Sequence, residues 1–168
     1  MAKKKINLGQ ILAAVAILLG IVALIMLFVP QLNYKSITGY DKGEPLSGLK
    51  ITFGYSEKDI KILNFSIGNF LTYVFLLIGI VFAALAVFGK LGKIAPIVAA
   101  AAFVAAGVFF FCALTFMSVN VGELTGEAAN KAIELVKNRY TLGAGAIVGG
   151  ILSILSGATV LTKAFIKK

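Results

Sequence analysis

Four long apolar blocks constrain this chain more than any other feature. The first, residues 11–29, contains no polar side chain, and residues 70–88, 94–117 and 141–162 are interrupted only by hydroxyls, one thiol and one proline. A helix of about 20 residues crosses the ~30 Å hydrocarbon core of a bilayer. Each block is about that long, so the sequence predicts four membrane-spanning helices.

The composition excludes an ordinary soluble domain. Mean hydropathy is +0.98 and 14% of the residues are charged, whereas soluble domains carry roughly 25% charged residues. In block 11–29, 13 of the 19 residues are Leu, Ile, Val or Phe; at about −0.3 to −0.6 kcal/mol each, they favour insertion by roughly 4 to 8 kcal/mol. A secretory signal would have a shorter apolar run followed by a small-residue cleavage site. We therefore expect an uncleaved first span.

The predicted fold class is an all-α membrane protein, a four-transmembrane-helix bundle. It carries a small extracellular antiparallel β-sheet in the first outer loop and a helical second outer loop. The sequence predicts a single membrane domain, 1–168. Its predicted segments are spans at about 8–29, 70–89, 94–117 and 141–163, outer loops 30–69 and 118–140, and a cytoplasmic turn 90–93.

Charge placement predicts the orientation. Eight basic residues lie at the termini and in turn 90–93, eight lie in the two longer loops, and all seven acids also lie in those longer loops, so the two faces carry +8 and +1. Short loops rich in lysine stay in the cytoplasm. We therefore expect a multi-pass protein of the cell membrane with cytoplasmic N- and C-termini. The cytoplasmic lysines are expected to contact anionic lipid headgroups, and no nucleic-acid motif is present.

The first outer loop has a strand-like pattern. Leu49, Ile51, Phe53 and Tyr55 alternate with less apolar residues, the period of a half-buried strand. The predicted strands are Leu32–Ile37, Leu49–Tyr55 and Ile60–Phe65, with Ser56–Asp59 as the turn between the last two. In the second outer loop, residues 125–140 show helical spacing, and this helix either continues into the fourth span or bends near Gly143 and Gly145.

Small residues at helical spacing predict where the spans pack. The fourth span has one i,i+4 stripe of them, and small residues let helix backbones approach closely. The predicted packing residues are Gly145, Gly149, Ser153 and Gly157 in the fourth span, Ala16 and Gly20 in the first, and Gly79 and Ala83 in the second. The stripe serves packing within the bundle or, as an alternative, dimerisation.

Residues that usually carry chemistry are scarce. The chain has no histidine and one cysteine, so triads that need histidine and His/Cys metal sites are excluded. The pairs Asp41/Glu44 and Glu57/Asp59 are solvated turn charges on this interpretation, because calcium needs six to eight oxygen ligands. We therefore predict no catalytic residue, no metal site and no cofactor, and the chain is not expected to be an enzyme.

Taken together, four spans, cytoplasmic termini, a strand-rich first outer loop and a helical second one resemble the claudin-like tetraspan architecture, which peripheral myelin proteins share. The resemblance covers the whole chain as topology only. The family's first-loop marker, a tryptophan, a Gly-Leu-Trp segment and two cysteines, is missing, since the chain has no tryptophan and its single cysteine, Cys112, lies in the third span.

These features predict a non-enzymatic protein whose extracellular β-rich loop serves recognition, adhesion or assembly, with itself or with another membrane protein. The candidate interaction surface consists of Lys50, Thr52, Tyr55, Ser56, Glu57, Lys58 and Asp59. The alternative is an accessory subunit of a transporter, or a small oligomeric channel lined by the Gly/Ser face of the fourth span.

Overall fold

The computed structural model describes residues 7–36, 39 and 43–166. In chain order its elements are α1 (Leu8–Ile25), a 3₁₀ turn (Met26–Phe28), β1 (Pro30–Tyr34), β2 (Leu46–Ser47), α2 (Gly48–Phe53), β3 (Tyr55–Glu57), β4 (Ile60–Leu63), α3 (Ile67–Val87), α4 (Ile94–Phe111), α5 (Ala113–Phe116), α6 (Gly126–Lys137), β5 (Tyr140–Leu142) and α7 (Ala144–Phe165). Several residues with predicted roles lie outside the described part: the lysines Lys3, Lys4, Lys5, Lys167 and Lys168, Ile37 of the first predicted strand, and Asp41.

The four predicted spans correspond to four helices. Helices α1 with its 3₁₀ turn, α3, α4 and α7 are each long and apolar enough to cross a membrane, which identifies a multi-pass membrane protein. Helix α1 begins with a capping box, in which the Asn7 side chain accepts from the Gln10 amide and the Gln10 side chain accepts from the Asn7 amide. These reciprocal bonds satisfy helix-terminal N–H groups that would otherwise lack partners.

The four helices form a square, antiparallel bundle. Helices α1 and α4 each pack on both α3 and α7. The start of α1 meets the end of α3, where Gln10 Nε2 donates to the Val87 carbonyl at 3.2 Å, and Gly9 lies against the Lys163 side chain near the end of α7. We call this end, with turn 88–93, the turn end. The described residues 26–36, 43–66 and 112–143 form the opposite end, the cap.

Two phenylalanines from α4 fill the centre of the bundle. Phe103 and Phe110 are fully buried. A Cβ added at Gly20 of α1 or Gly79 of α3 would lie 2.7 Å from the Phe103 ring, and one added at Gly149 of α7 would lie 2.8 Å from the Phe110 ring. Glycines on three helices therefore provide the space that these two rings occupy.

The cap contains a three-stranded antiparallel sheet in the order β2-β1-β5. Strand β1 is central: Leu32 is opposite Leu142 of β5 and Leu46 of β2. A small antiparallel sheet was predicted, but two of its three strands, β2 and β5, were not. Helix α6 ends at Lys137, and β5 separates it from α7. The helix of the second outer loop therefore neither continues into the fourth span nor reaches Gly143 to bend there. A three-residue strand is too short to show a period in sequence, and it exists here because β1 has an edge to pair with.

The predicted strand Leu49–Tyr55 is wrong, because most of it is helix α2. The Ser47 side chain accepts from the Lys50 amide and caps this helix, as serine commonly does. Gly48, Ile51 and Thr52 are buried, whereas Leu49 and Phe53 are exposed. The alternation predicts that the apolar side chains are buried and that the polar ones face solvent. In a chain with spanning helices an exposed side chain can be apolar, so the alternation did not identify the buried face.

The predicted turn does form a hairpin, although a shorter one. Strand β3 pairs with β4, with Glu57 opposite Ile60. Lys58 and Asp59, which form the turn, both have positive φ, at 48° and 67°, as two-residue hairpin turns of type I′ require. Before β3, Gly54 has φ of 97°, and a Cβ there would lie 2.7 Å from the Leu63 carbonyl oxygen, so only glycine fits between α2 and the hairpin.

The cap has a hydrophobic core that is continuous with the span ends. Leu32, Leu46, Ile51 and Leu63 pack with Ala113, Met117 and Ala146, which lie at or just beyond the ends of helices α4, α5 and α7. The predicted third span, 94–117, is interrupted at the half-buried Cys112, which separates α4 from α5. The fourth predicted span begins later than expected, at Ala144, because β5 occupies residues 140–142.

Candidate functional site

The predicted interaction surface is largely exposed, with one correction. Ser56, Glu57, Lys58 and Asp59 are exposed on the β3–β4 hairpin, and Lys50 and Tyr55 are half-buried. Thr52 was expected to face solvent or a partner, but it is fully buried. Helix α2 turns it inward beside Ile51, so Thr52 does not belong to the surface.

The structure adds a cavity beside this surface, which we call the cap cleft. Its volume is about 90 Å³, and its lining residues are Gly43, Glu44, Leu46, Tyr55, Glu57, Ile62, Leu63, Val136 and Tyr140. They come from the segment before β2, from the hairpin, and from α6 and β5. The cleft therefore joins parts of the first and second long loops that are about 80 residues apart in sequence.

One ammonium group of the protein lies near the cleft. Lys50 Nζ is 3.0 Å from Glu44 Oε2 and 4.2 Å from the centre of the Tyr55 ring. Both contacts are favourable, since a carboxylate and the negative face of an aromatic ring each attract a cation. Glu57, which also lines the cleft, makes no ion pair within the described chain.

Tyr140 forms one wall of the cleft and has a perturbed phenol. Burial raises the pKa of Tyr140, and the nearby Tyr34, Tyr55, Glu44 and Glu57 raise the pKa further, because each disfavours a new negative charge. The Tyr140 and Tyr34 rings meet edge to face with centres 5.6 Å apart. Sequence reasoning missed Glu44 and Tyr140 as partners of the hairpin, because the pairing of β1 with both β2 and β5 brings them there.

A layer of buried polar side chains joins the cap to the bundle. Gln31 Nε2 of β1 donates to the Tyr73 hydroxyl of α3 at 2.6 Å. Asn69 Nδ2 of α3 donates to the carbonyls of Ile51 and Ala113, each at 3.4 Å. Buried polar groups normally need such partners. Within the described chain Thr52 Oγ1, which is also buried, has no hydrogen bond.

The predicted helix-packing residues are all buried, and the stripe in α7 meets both the cap and α4. Gly145, Gly149, Ser153 and Gly157 in α7, and Ala16, Gly20, Gly79 and Ala83 in the other spans, all belong to the buried class. A Cβ at Gly145 would lie 2.9 Å from the Pro30 and Val29 carbonyls, and one at Gly157 would lie 3.0 Å from Val104 of α4. Ser153 Oγ donates to the Gly149 carbonyl at 2.7 Å, as helix hydroxyls often do.

The turn end carries the described lysines that were expected to meet lipid. Lys90 and Lys93 are exposed. Lys163 is the basic residue in the last turn of α7. Its Nζ is enclosed and has no hydrogen-bond partner within the described residues.

Comparisons with protein-family models, with curated proteins and with solved structures found no match to this chain. Within the described residues there is no group of three or more His, Cys, Asp or Glu side chains placed to hold a metal ion. Four helices of spanning length and a small antiparallel sheet fit a tetraspan architecture.

Proposed function

We propose that this chain is a non-enzymatic protein of the cell membrane whose cap serves recognition, adhesion or assembly, with itself or with another membrane protein. The charge placement of +8 and +1 supports cytoplasmic termini and an extracellular cap. Anionic headgroups would then meet Lys90 and Lys93 on the cytoplasmic side.

The cap cleft is the observation that carries this proposal. Two long loops fold on each other, bury Leu32 and Ile51 completely, and leave a cavity beside an exposed hairpin. Loops that only connect two helices would not need a hydrophobic core, because most such connections are only a few residues long. Cavities lined by apolar walls and a few polar groups are the usual form of a binding site.

Site-specific photo-crosslinking tests the proposal without disturbing the core. A benzoylphenylalanine at Lys58, on the hairpin tip, should capture a partner or a second copy in native membranes. The matched control is the same residue at Phe88, which is 76% exposed at the turn end. Adducts at position 58 that are missing at 88 support the proposal, and no adduct at 58 contradicts it. Deleting 40–62 would remove the buried Leu46 and Ile51 and is less informative.

The alternative function, an accessory subunit of a transporter or an oligomeric channel, has less support. A pore lined by the Gly/Ser face of α7 needs that face to contact water. In the packed bundle Gly149 lies against Phe110 and Ser153 is fully buried. Conductance of the purified protein in liposomes, lost on Gly149→Leu, would favour the channel over the cap as the functional part.

A further inference from the structure

The charged residues that line the cap cleft are acidic. Of the nine described residues that line it, Glu44 and Glu57 are carboxylates, Tyr55 and Tyr140 are aromatic, and none is a lysine or an arginine. Carboxylates combined with aromatic faces attract an organic cation, because the ring quadrupole and the full negative charge act together. An anionic ligand would meet two like charges there.

Lys50 shows how an ammonium binds at this place. It contacts a carboxylate, Glu44, and an aromatic face, Tyr55, at once. The Lys50 side chain thus occupies the negative groups of two lining residues, Glu44 and Tyr55. Glu57 and Tyr140 also line the cleft, and Glu57 has neither an ion pair nor a side-chain hydrogen bond within the described chain. A second ammonium therefore has a free counter-ion next to an aromatic wall.

The size of the cleft limits what it admits. One water needs about 10–15 Å³ of such a cavity, so a cavity of about 90 Å³ has room for the end of an alkylammonium chain. A calcium ion would need six to eight oxygen ligands, and one of the two carboxylates is already paired with Lys50.

We infer that the cap cleft binds a primary ammonium group on an alkyl chain, with Glu57 as its counter-ion and Tyr140 as its aromatic wall. Such a group is present on a lysine side chain of a partner polypeptide and on a free diamine. This inference rests on the proposed role of the cap in recognition, and it names the chemistry that the cap would recognise.

Binding of a defined amine tests the chemistry. Butylammonium and 1,5-diaminopentane are titrated calorimetrically into the full chain in nanodiscs of neutral lipid, with 1-butanol as the uncharged analogue. We expect the amines to bind and the alcohol not to bind. Glu57→Gln should weaken binding roughly five- to tenfold, in keeping with a lost charge-assisted contact, whereas Lys50→Gln should strengthen it by freeing Glu44. Glu123→Gln, an exposed acid outside the cleft, should change nothing.

Carbodiimide coupling in native membranes identifies the source of the ammonium. The reagent joins a carboxylate to an adjacent amine as an amide, and mass spectrometry locates the product. The Glu44–Lys50 pair serves as an internal positive control. A peptide from another chain on Glu57 indicates a polypeptide partner, and a diamine on Glu57 indicates a small ligand.

Two results would overturn the inference. One is equal binding of amines by the native chain and the Glu57→Gln variant. The other is an isopeptide at Glu44–Lys50 with no more amine on Glu57 than on Glu123. If photo-crosslinking at position 58 still captures a partner in that case, the cap keeps its recognition role and only the ammonium chemistry is wrong. If position 58 captures nothing while amines bind, a small ligand replaces the protein partner.

Discussion

At the scale of single residues, glycine positions decide how close the helices come. Gly20 and Gly79 both lie against the Phe103 ring, so they leave room for one large side chain at the centre of the bundle. Small residues were identified from their spacing alone. Their partner Phe103 was not, because an aromatic residue in an apolar block looks the same whether it faces lipid or the interior.

Enlarging Gly79 should destabilise the bundle. Gly79→Val adds three carbons where the first already lies 2.7 Å from the Phe103 ring, and overpacking of this kind costs about 1–3 kcal/mol. Ala101→Val is the matched control, since Ala101 is exposed on α4. Thermal unfolding in detergent should show a lower Tm for the first variant only. Equal melting of both variants would contradict the packing described for Phe103.

Removing one partner of the buried hydrogen bond between Gln31 and Tyr73 should lower the free energy of unfolding more than removing both partners. Tyr73→Phe deletes the acceptor of a 2.6 Å hydrogen bond and leaves a buried amide poorly paired, at a cost of about 1–3 kcal/mol. The double variant Gln31→Leu/Tyr73→Phe should recover part of that loss, because neither group then lacks a partner. Additive losses in chemical denaturation would rule out the coupling.

Alkaline pH should weaken the fold through Tyr140. Its pKa is raised in the folded protein by burial and nearby negative groups, so the unfolded chain loses the phenol proton at lower pH than the folded one. The contribution to stability is full below the ordinary pKa near 10 and falls as the pH rises through the folded value. The Tm of Tyr140→Phe should therefore decline less between pH 9 and pH 11 than that of the native chain. Identical slopes would show that Tyr140 does not contribute.

At the scale of elements, the cap illustrates how short segments depend on their neighbours. Helix α2 has six residues and β5 has three, and neither length is stable alone. Helix α2 is held by the Ser47 cap and by Asn69, which binds its Ile51 carbonyl, whereas β5 is held by β1. The longer α6 was predicted from spacing, since twelve residues show a period that six cannot.

The hairpin turn has an unfavourable backbone conformation at two residues, and substitution should remove its energetic cost. Lys58 and Asp59 adopt positive φ without being glycine, which costs an ordinary residue roughly 1–2 kcal/mol, whereas Asn-Gly suits a type I′ turn. Lys58→Asn/Asp59→Gly should raise the Tm of the cap. The control variant Lys58→Ala/Asp59→Ala should not raise it. Slower amide exchange at Ile62 in the first variant would locate the gain in the hairpin.

At the scale of the whole molecule, the cap packs directly on the bundle, and we expect the two to unfold as one cooperative unit. The cap core includes Ala113 and Ala146 from the span helices, and the start of α7 lies against the Pro30 carbonyl through Gly145. A disulfide-free cap can therefore be stable, because the span ends supply part of its core.

A cavity in the cap should lower the stability of the bundle as well. Leu32 is fully buried, and Leu32→Ala should cost about 2–5 kcal/mol. We expect far-UV dichroism, which reports the helices, and tyrosine emission to shift together to one lower Tm; the chain has no tryptophan to mask that emission. Leu18→Ala, at a 63% exposed position of α1, is the control. Two separate transitions for Leu32→Ala would show that the cap unfolds independently.

The sequence by itself determined the four spans, the small residues along them and the amphipathic helix α6. Each is a local property: length, apolarity and spacing are readable within one segment. Only the tertiary structure decided that Leu49–Phe53 is helical, that Thr52 is buried, and that Tyr140 joins Glu44 and Glu57 around a cleft. Those outcomes depend on which segments meet. With lipid outside and protein inside, apolar patterning no longer separates an exposed side chain from a buried one.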